Sequence, residues 1–248
     1  MNRFGQVMLW AITAGCLCWC LWGCKPQAQR SSQSAATSGE NATSVVAAHR
    51  PSADTQQDSA EEGLIVAMGD SLTAGLGVPE AQAYPALLER KLRADGYAFK
   101  VINAGVSGET SSGALTRTEW MLTLNPDIVI LETGANDGLR GVEPKVMRDN
   151  VNAIVKTLRA KNVVIVLAGM RMVHNLGESY TRAFAQVYSQ IAQQYDLIFM
   201  PFFLQGVGGE PSLNQSDGIH PTAAGYERIV DNLYPHVTAA IQKLRHQQ

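Results

Sequence analysis

From Gly63 to Gln248 the chain alternates short, almost unbroken runs of Val, Ile and Leu with stretches of helical periodicity. That alternation constrains the fold more than any other feature. The runs are Leu64–Met68, Phe99–Asn103, Asp127–Glu132, Val163–Ala168 and Leu197–Met200. Several are apolar at nearly every position rather than every second one, which marks parallel strands covered on both faces. Between them, Tyr84, Leu87, Leu88 and Leu92 share a helical face, as do Val151, Ile154, Val155 and Leu158. Phe184, Val187, Tyr188, Ile191 and Tyr195 make a third stripe. Tyr226, Ile229, Val230 and Leu233 make a last helix, which Pro235 is expected to kink or restart. The order implies an α/β fold with right-handed crossovers: a three-layer α/β/α sandwich on a flavodoxin-like five-stranded parallel sheet.

Residues 63–248 therefore form the globular domain, and the segments before it read differently. The four cysteines are Cys16, Cys18, Cys20 and Cys24, so no disulfide, thiol nucleophile or Cys/His metal cluster is available to the domain. Residues 1–23 pair Arg3 with an apolar run from Val7 to Gly23, the pattern of an export signal. At the lower limit of bilayer-spanning length, the run is alternatively an uncleaved anchor. Leu21-Trp22-Gly23-Cys24 resembles the bacterial lipobox, with Trp22 where a smaller residue is usual. The resemblance implies cleavage before Cys24 and lipidation of its thiol, with enough acyl chain for stable anchoring. Residues 24–62 are rich in Ser, Gln, Ala and Thr, the composition of a disordered tether. Together these segments place the protein in the bacterial cell envelope, expected on the periplasmic face of the outer membrane. Asn41-Ala-Thr43 and Asn214-Gln-Ser216 match glycosylation acceptors, a tripeptide frequent by chance.

In a doubly wound sheet, reactive groups collect in the loops after the carboxyl ends of the strands. These loops read Gly69-Asp70-Ser71-Leu72, Asn103-Ala-Gly105-Val-Ser-Gly108-Glu109 and Gly134-Ala-Asn136-Asp137-Gly138, and Asp217-Gly-Ile-His220-Pro221 precedes the final helix. Ser71 lies where a strand gives way to a loop, a position that also suits a helix N-cap. A serine hydroxyl needs a base to become a nucleophile. Among the five histidines, His220 has an aspartate, Asp217, three residues before it, able to hold one imidazole tautomer. His174, in the loop after the fourth strand, is the rival. Pro221 holds His220 out of helical geometry and can begin the next helix. Oxyanion donors would be the Ser71 N–H, the Gly105 N–H and the Asn136 side-chain amide, which converge if the strand order is 2-1-3-4-5. Asp70 and Asp137 read as structural residues bonding loop backbone.

The four blocks, in this order and spacing, resemble those of the GDSL or SGNH hydrolases over nearly the whole domain. Glu109-Thr110-Ser111, Asn136-Asp137-Gly138-Leu139-Arg140-Gly141 and the Asp217–Pro221 block are most similar to small periplasmic arylesterases, acyl-CoA thioesterases and lysophospholipases. The resemblance implies a serine esterase with Ser71, Asp217 and His220 as catalytic residues. Leu139, Val142, Met170, Val173 and Leu176 would wall an acyl cleft. Expected partners are a small acyl ester or lipid and, through Cys24, a membrane. The domain is near neutral and the whole chain carries a net charge of −2, so no nucleic-acid partner is expected. No cofactor or metal is expected, and the chain is expected to be a monomer. An envelope carbohydrate O-acetylesterase of the same fold and a non-catalytic acyl-binding lipoprotein are the alternatives.

Overall fold

The structure, a computed structural model, describes residues 61–172 and 176–247. The expected export signal, Cys24, the tether up to residue 60, Val173 and His174 lie outside the described residues.

Five strands run parallel: β1 (Gly63–Gly69), β2 (Phe99–Gly105), β3 (Ile128–Glu132), β4 (Val164–Ala168) and β5 (Ile198–Met200). Their order is β2-β1-β3-β4-β5, as expected. β3 and β4 are buried at every residue and β1 from Ile65 onward, which is why their sequences are nearly continuous Val/Ile/Leu. The edge strand β2 exposes Lys100.

The helices cover both faces. α2 (Tyr84–Ala94) packs against α7 (Ala223–Arg245), and α3 (Ser111–Leu122), α5 (Pro144–Arg159) and α6 (Glu178–Tyr195) form the other layer. Tyr84, Leu88, Leu92, Val151, Ile154, Val155 and Leu158 are buried, as their spacing requires. α1 (Ser71–Ala74) and α4 (Ala135–Leu139) are single turns at the carboxyl ends of β1 and β3.

Two expectations are corrected here. α7 runs as one helix through Pro235, so the proline does not restart it. A proline inside a helix costs about 3 kcal/mol. The buried stripe continues past it with Val237, Ala240, Ile241 and Leu244, and burial of such side chains at roughly 1.5–3 kcal/mol each outweighs the loss. Pro221 does not begin that helix either. It forms an isolated bridge with Asn214, and Thr222 is the N-cap, its hydroxyl accepting from Gly225 N at 3.3 Å. Asn214 is buried, its amide donating to the Val207 and Glu210 carbonyls, so it is a structural residue. Among the described residues no helix is long and apolar enough to cross a membrane.

Candidate active site

β1 delivers Ser71. The strand ends at Gly69, where a Cβ would collide with Glu132 and Thr73, so only glycine lets the turn lie this close to β3. Asp70 then caps α1, its Oδ1 accepting from Leu72 N at 3.0 Å. The N-cap is thus Asp70, and Ser71 is the first helical residue. Its hydroxyl meets His220 Nε2 at 2.9 Å.

The loop before α7 delivers His220. Its Nδ1 lies 2.7 Å from Asp217 Oδ2, while Asp217 Oδ1 accepts from the Ile219 and His220 amides at 3.0 Å each. These bonds, led by the one from the imidazole, push the Asp217 carboxyl down to about 2. Gly218 takes the left-handed conformation that closes the turn, at φ 73°. Gln215 ties this turn to the other half of the site: its Nε2 donates to the Leu76 carbonyl at 2.7 Å and the Pro221 carbonyl at 2.9 Å. Reading the sequence for chemistry passes over Gln215, since its role depends on a partner 139 residues away.

β3 delivers Asn136. One amide proton of its Nδ2 goes to Asp70 Oδ2 at 3.0 Å, and the residue lines the cleft beside Ser71. Asp137, next to it, accepts from Ser111 N at 2.7 Å and Ser111 Oγ at 2.6 Å, so it starts α3. Asp70 and Asp137 are both structural, as expected.

Gly105 is not where the oxyanion reading needs it. Its N–H is donated to Asn103 Oδ1 at 3.0 Å, and it does not line the cleft. Its missing Cβ serves packing instead, because a side chain would run into the backbone of Thr73 and Ala74. In the same stretch of chain, Gly108 does line the cleft, in the left-handed region at φ 79° with Arg140 Nη2 donating to its carbonyl at 2.9 Å. The loop carrying Gly108 is braced by Glu109, which holds Arg117 in a two-bond ion pair of 2.7 Å contacts. Arg117 reaches on to the Gly69 carbonyl at 3.3 Å, joining that brace to the turn that carries Ser71.

Ser71, Asn136 and His220 open onto a cleft of about 610 Å³, within the range of small-molecule sites. Leu139 and Met170 line it, as expected. Val142 does not: its amide and carbonyl bond Asp137 O and Tyr180 Oη. Leu176 is exposed at 40% and stands away from the cleft. Leu76, Met172, Phe202 and Ile219 complete the apolar wall instead. Among the described residues no group of three or more His, Cys, Asp or Glu side chains is placed to hold a metal ion.

The model of the GDSL-like lipase/acylhydrolase family matches residues 67–228, from within β1 into α7. The chain belongs to the GDSL-like lipase/acylhydrolase family. As a member it is a serine hydrolase acting on ester bonds. Esterase TesA of Pseudomonas aeruginosa is 40% identical over 182 residues, covering 73% of this chain and 90% of TesA. The thioesterase 1/protease 1/lysophospholipase L1 of Escherichia coli K12 is 35% identical over 178 residues, or 71% of this chain and 84% of the relative. Among solved structures, the psychrotrophic esterase EstA of a Pseudoalteromonas species, inhibited by monoethylphosphonate, superposes with a TM-score of 0.70. It is 34% identical and covers 73% of this chain and all of EstA.

Proposed function

We propose that this family member hydrolyses carboxylic esters or thioesters of acyl chains through a Ser71–His220–Asp217 triad and an acyl-enzyme. The observation that carries the reading is the unbroken hydrogen-bond chain from Asp217 through His220 to Ser71 at the floor of an apolar cleft. His220 Nε2 takes the Ser71 proton as Oγ attacks the carbonyl, and Asp217 stabilises the imidazolium that forms. The Ser71 N–H, the free amide proton of Asn136 and the Gly108 N–H, in place of Gly105, receive the oxyanion. His220 then returns the proton to the departing alcohol or thiol, and water releases the acyl group. The names of the relatives, which include esterase, thioesterase and lysophospholipase, support this range of substrates. The apolar wall favours acyl chains over the acetylated sugars of the alternative reading.

The reading extends to the amino terminus: the mature chain begins at a lipidated Cys24 and works from the envelope membrane on the tether of residues 24–62. Hydrolysis of short p-nitrophenyl esters by the full-length chain and by Ser71→Ala tests the triad; equal rates would sink it. Palmitate labelling tests the anchor, and label retained by Cys24→Ala excludes that cysteine as the lipid site.

A further inference from the structure

Glu132 is an acid where the fold calls for a hydrocarbon. It closes the most central apolar strand, β3, is fully buried, and forms no ion pair among the described residues. Its Oε2 accepts from Asp70 N at 3.2 Å and from Thr73 Oγ1 at 2.9 Å, the residues that bracket Ser71 and Leu72. Its Oε1 is buried with no hydrogen-bond partner among the described residues. Thr73 Oγ1 also lies 3.3 Å from the buried Tyr84 hydroxyl, and Asp70 holds the Asn136 amide. A buried polar atom without a partner costs stability, and a well-packed apolar residue would avoid that cost. Stability therefore does not explain the residue, whereas geometry does.

We propose that Glu132 is a positioning residue for acyl transfer: its carboxyl oxygen locks the turn carrying Ser71 and, through Asp70, aims the Asn136 amide into the cleft. The inference rests on Ser71 being the nucleophile. Burial, followed by the Asp70 carboxylate, pushes the Glu132 carboxyl well above the usual carboxylate range. Burial raises the Asp70 carboxyl too, and the bonds from Leu72 N and Asn136 offset part of that rise. Freed from Glu132, the Ser71 turn and the Asn136 amide would lose their common reference to β3, and a misplacement of about 1 Å costs on the order of 10²-fold in rate.

The test measures kcat and KM for p-nitrophenyl esters on the full-length chain, with active sites counted by titration with a phosphonate. Glu132→Leu is expected to lower kcat per titrated site by about 10- to 100-fold, with KM within about 3-fold. Glu132→Gln, which keeps the shape and the acceptor oxygen, recovers kcat to within about 3-fold of the parent. A merely structural role would reduce the number of titratable sites and leave kcat per site alone; that result overturns the inference. So does a Gln variant as impaired as the Leu variant. If Glu132→Leu yields no folded protein, Thr73→Val carries the test, with an expected fall of about 3- to 10-fold in kcat, and an unchanged kcat overturns the inference. Ser71→Ala runs alongside: parental activity there overturns the triad, whereas a slow Ser71→Ala with an unimpaired Glu132→Leu overturns only the role of Glu132.

Discussion

The two halves of the Ser71–His220 pair are held by opposite means. Ser71 sits on a buried polar network at the carboxyl ends of β1 and β3, where Asp70, Thr73 and Glu132 are each at most 1% exposed. His220 sits on a surface turn, where Asp217 is 44% exposed and its bonds reach residues two and three positions away. Among the described residues, the Gln215 side chain hydrogen-bonds that turn to the loop after α1. The buried half is precise because unpaired polar groups there are costly, so every member is constrained by its neighbours. The exposed half is a local hydrogen-bonded turn, closed also by the bonds from Gly218 N to the Gln215 carbonyl and from Gln215 N to the His220 carbonyl. Ser71 is thereby set by the core and His220 by a turn.

The largest effects fall on the reacting groups themselves. Ser71→Ala is expected to lower kcat by on the order of 10⁶-fold and Asp217→Asn by about 10⁴-fold, because the carboxylate orients and stabilises while the hydroxyl reacts. Stopped assays on purified variants measure both, and an Asp217→Asn enzyme as dead as Ser71→Ala would erase the distinction between reacting and supporting groups. Next comes the link between the halves. Gln215→Ala is expected to cost about 10-fold in kcat with little change in KM, as the His220 turn loses its tie to Leu76. Steady-state kinetics on short esters decides this, and parental kcat would show that the turn positions His220 unaided.

Smaller, and pH-dependent, is the cost of the buried network. Glu132 has a raised folded-state value, so folding binds its proton more tightly than the unfolded chain does. Its contribution is complete below the unfolded value near 4.5 and is lost as pH rises toward the folded one. The groups interacting with it are Asp70, Tyr84, Tyr188 and Tyr226. Glu132→Gln should therefore gain stability relative to the parent as pH increases above 4.5, at up to about 1.4 kcal/mol per pH unit. Urea unfolding at pH 4, 6 and 8 would follow it; a pH-independent difference would mean that Glu132 does not hold its proton. The smallest effect lies on the exposed half. Asp217 has a lowered folded-state value, so its contribution is present above 3.8 and lost as pH falls through about 2. A carboxyl ¹³C titration should show that midpoint, and His220→Ala should move it up toward the ordinary range. An unmoved midpoint would assign the depression to the turn amides rather than to the imidazole.

Much of this was legible in the residues. Each strand run appears within two residues of its expected bounds, most sharply in β1, β3 and β4, where burial on both faces favours an apolar side chain at nearly every position. Ser71, Asn136, Asp217 and His220 stood out because their chemistry and loop context are local properties. α3 was not visible. Its buried stripe is Ser111, Ala114, Thr118 and Met121, small and polar residues that a search for Leu and Val faces does not register. Gly105 and Gly108 could not be told apart, since both are glycines in one loop, and only their surroundings separate packing from cleft. The cleft wall was found in part: Leu139 and Met170 line it, whereas Leu76, Met172, Phe202 and Ile219 join it through the way the chain folds.

Sequence by itself therefore determined the parallel sheet, the order of its blocks and the residue types gathered at the candidate site, all consequences of periodicity and side-chain chemistry. Tertiary structure decided what spacing along the chain cannot express. It turned Glu132 from the last residue of an apolar strand into the floor of the nucleophile turn, and Gln215 into the tie between halves. Both roles are hydrogen bonds between segments 59 and 139 residues apart, and such bonds depend on the position of the partner and not on the residue alone.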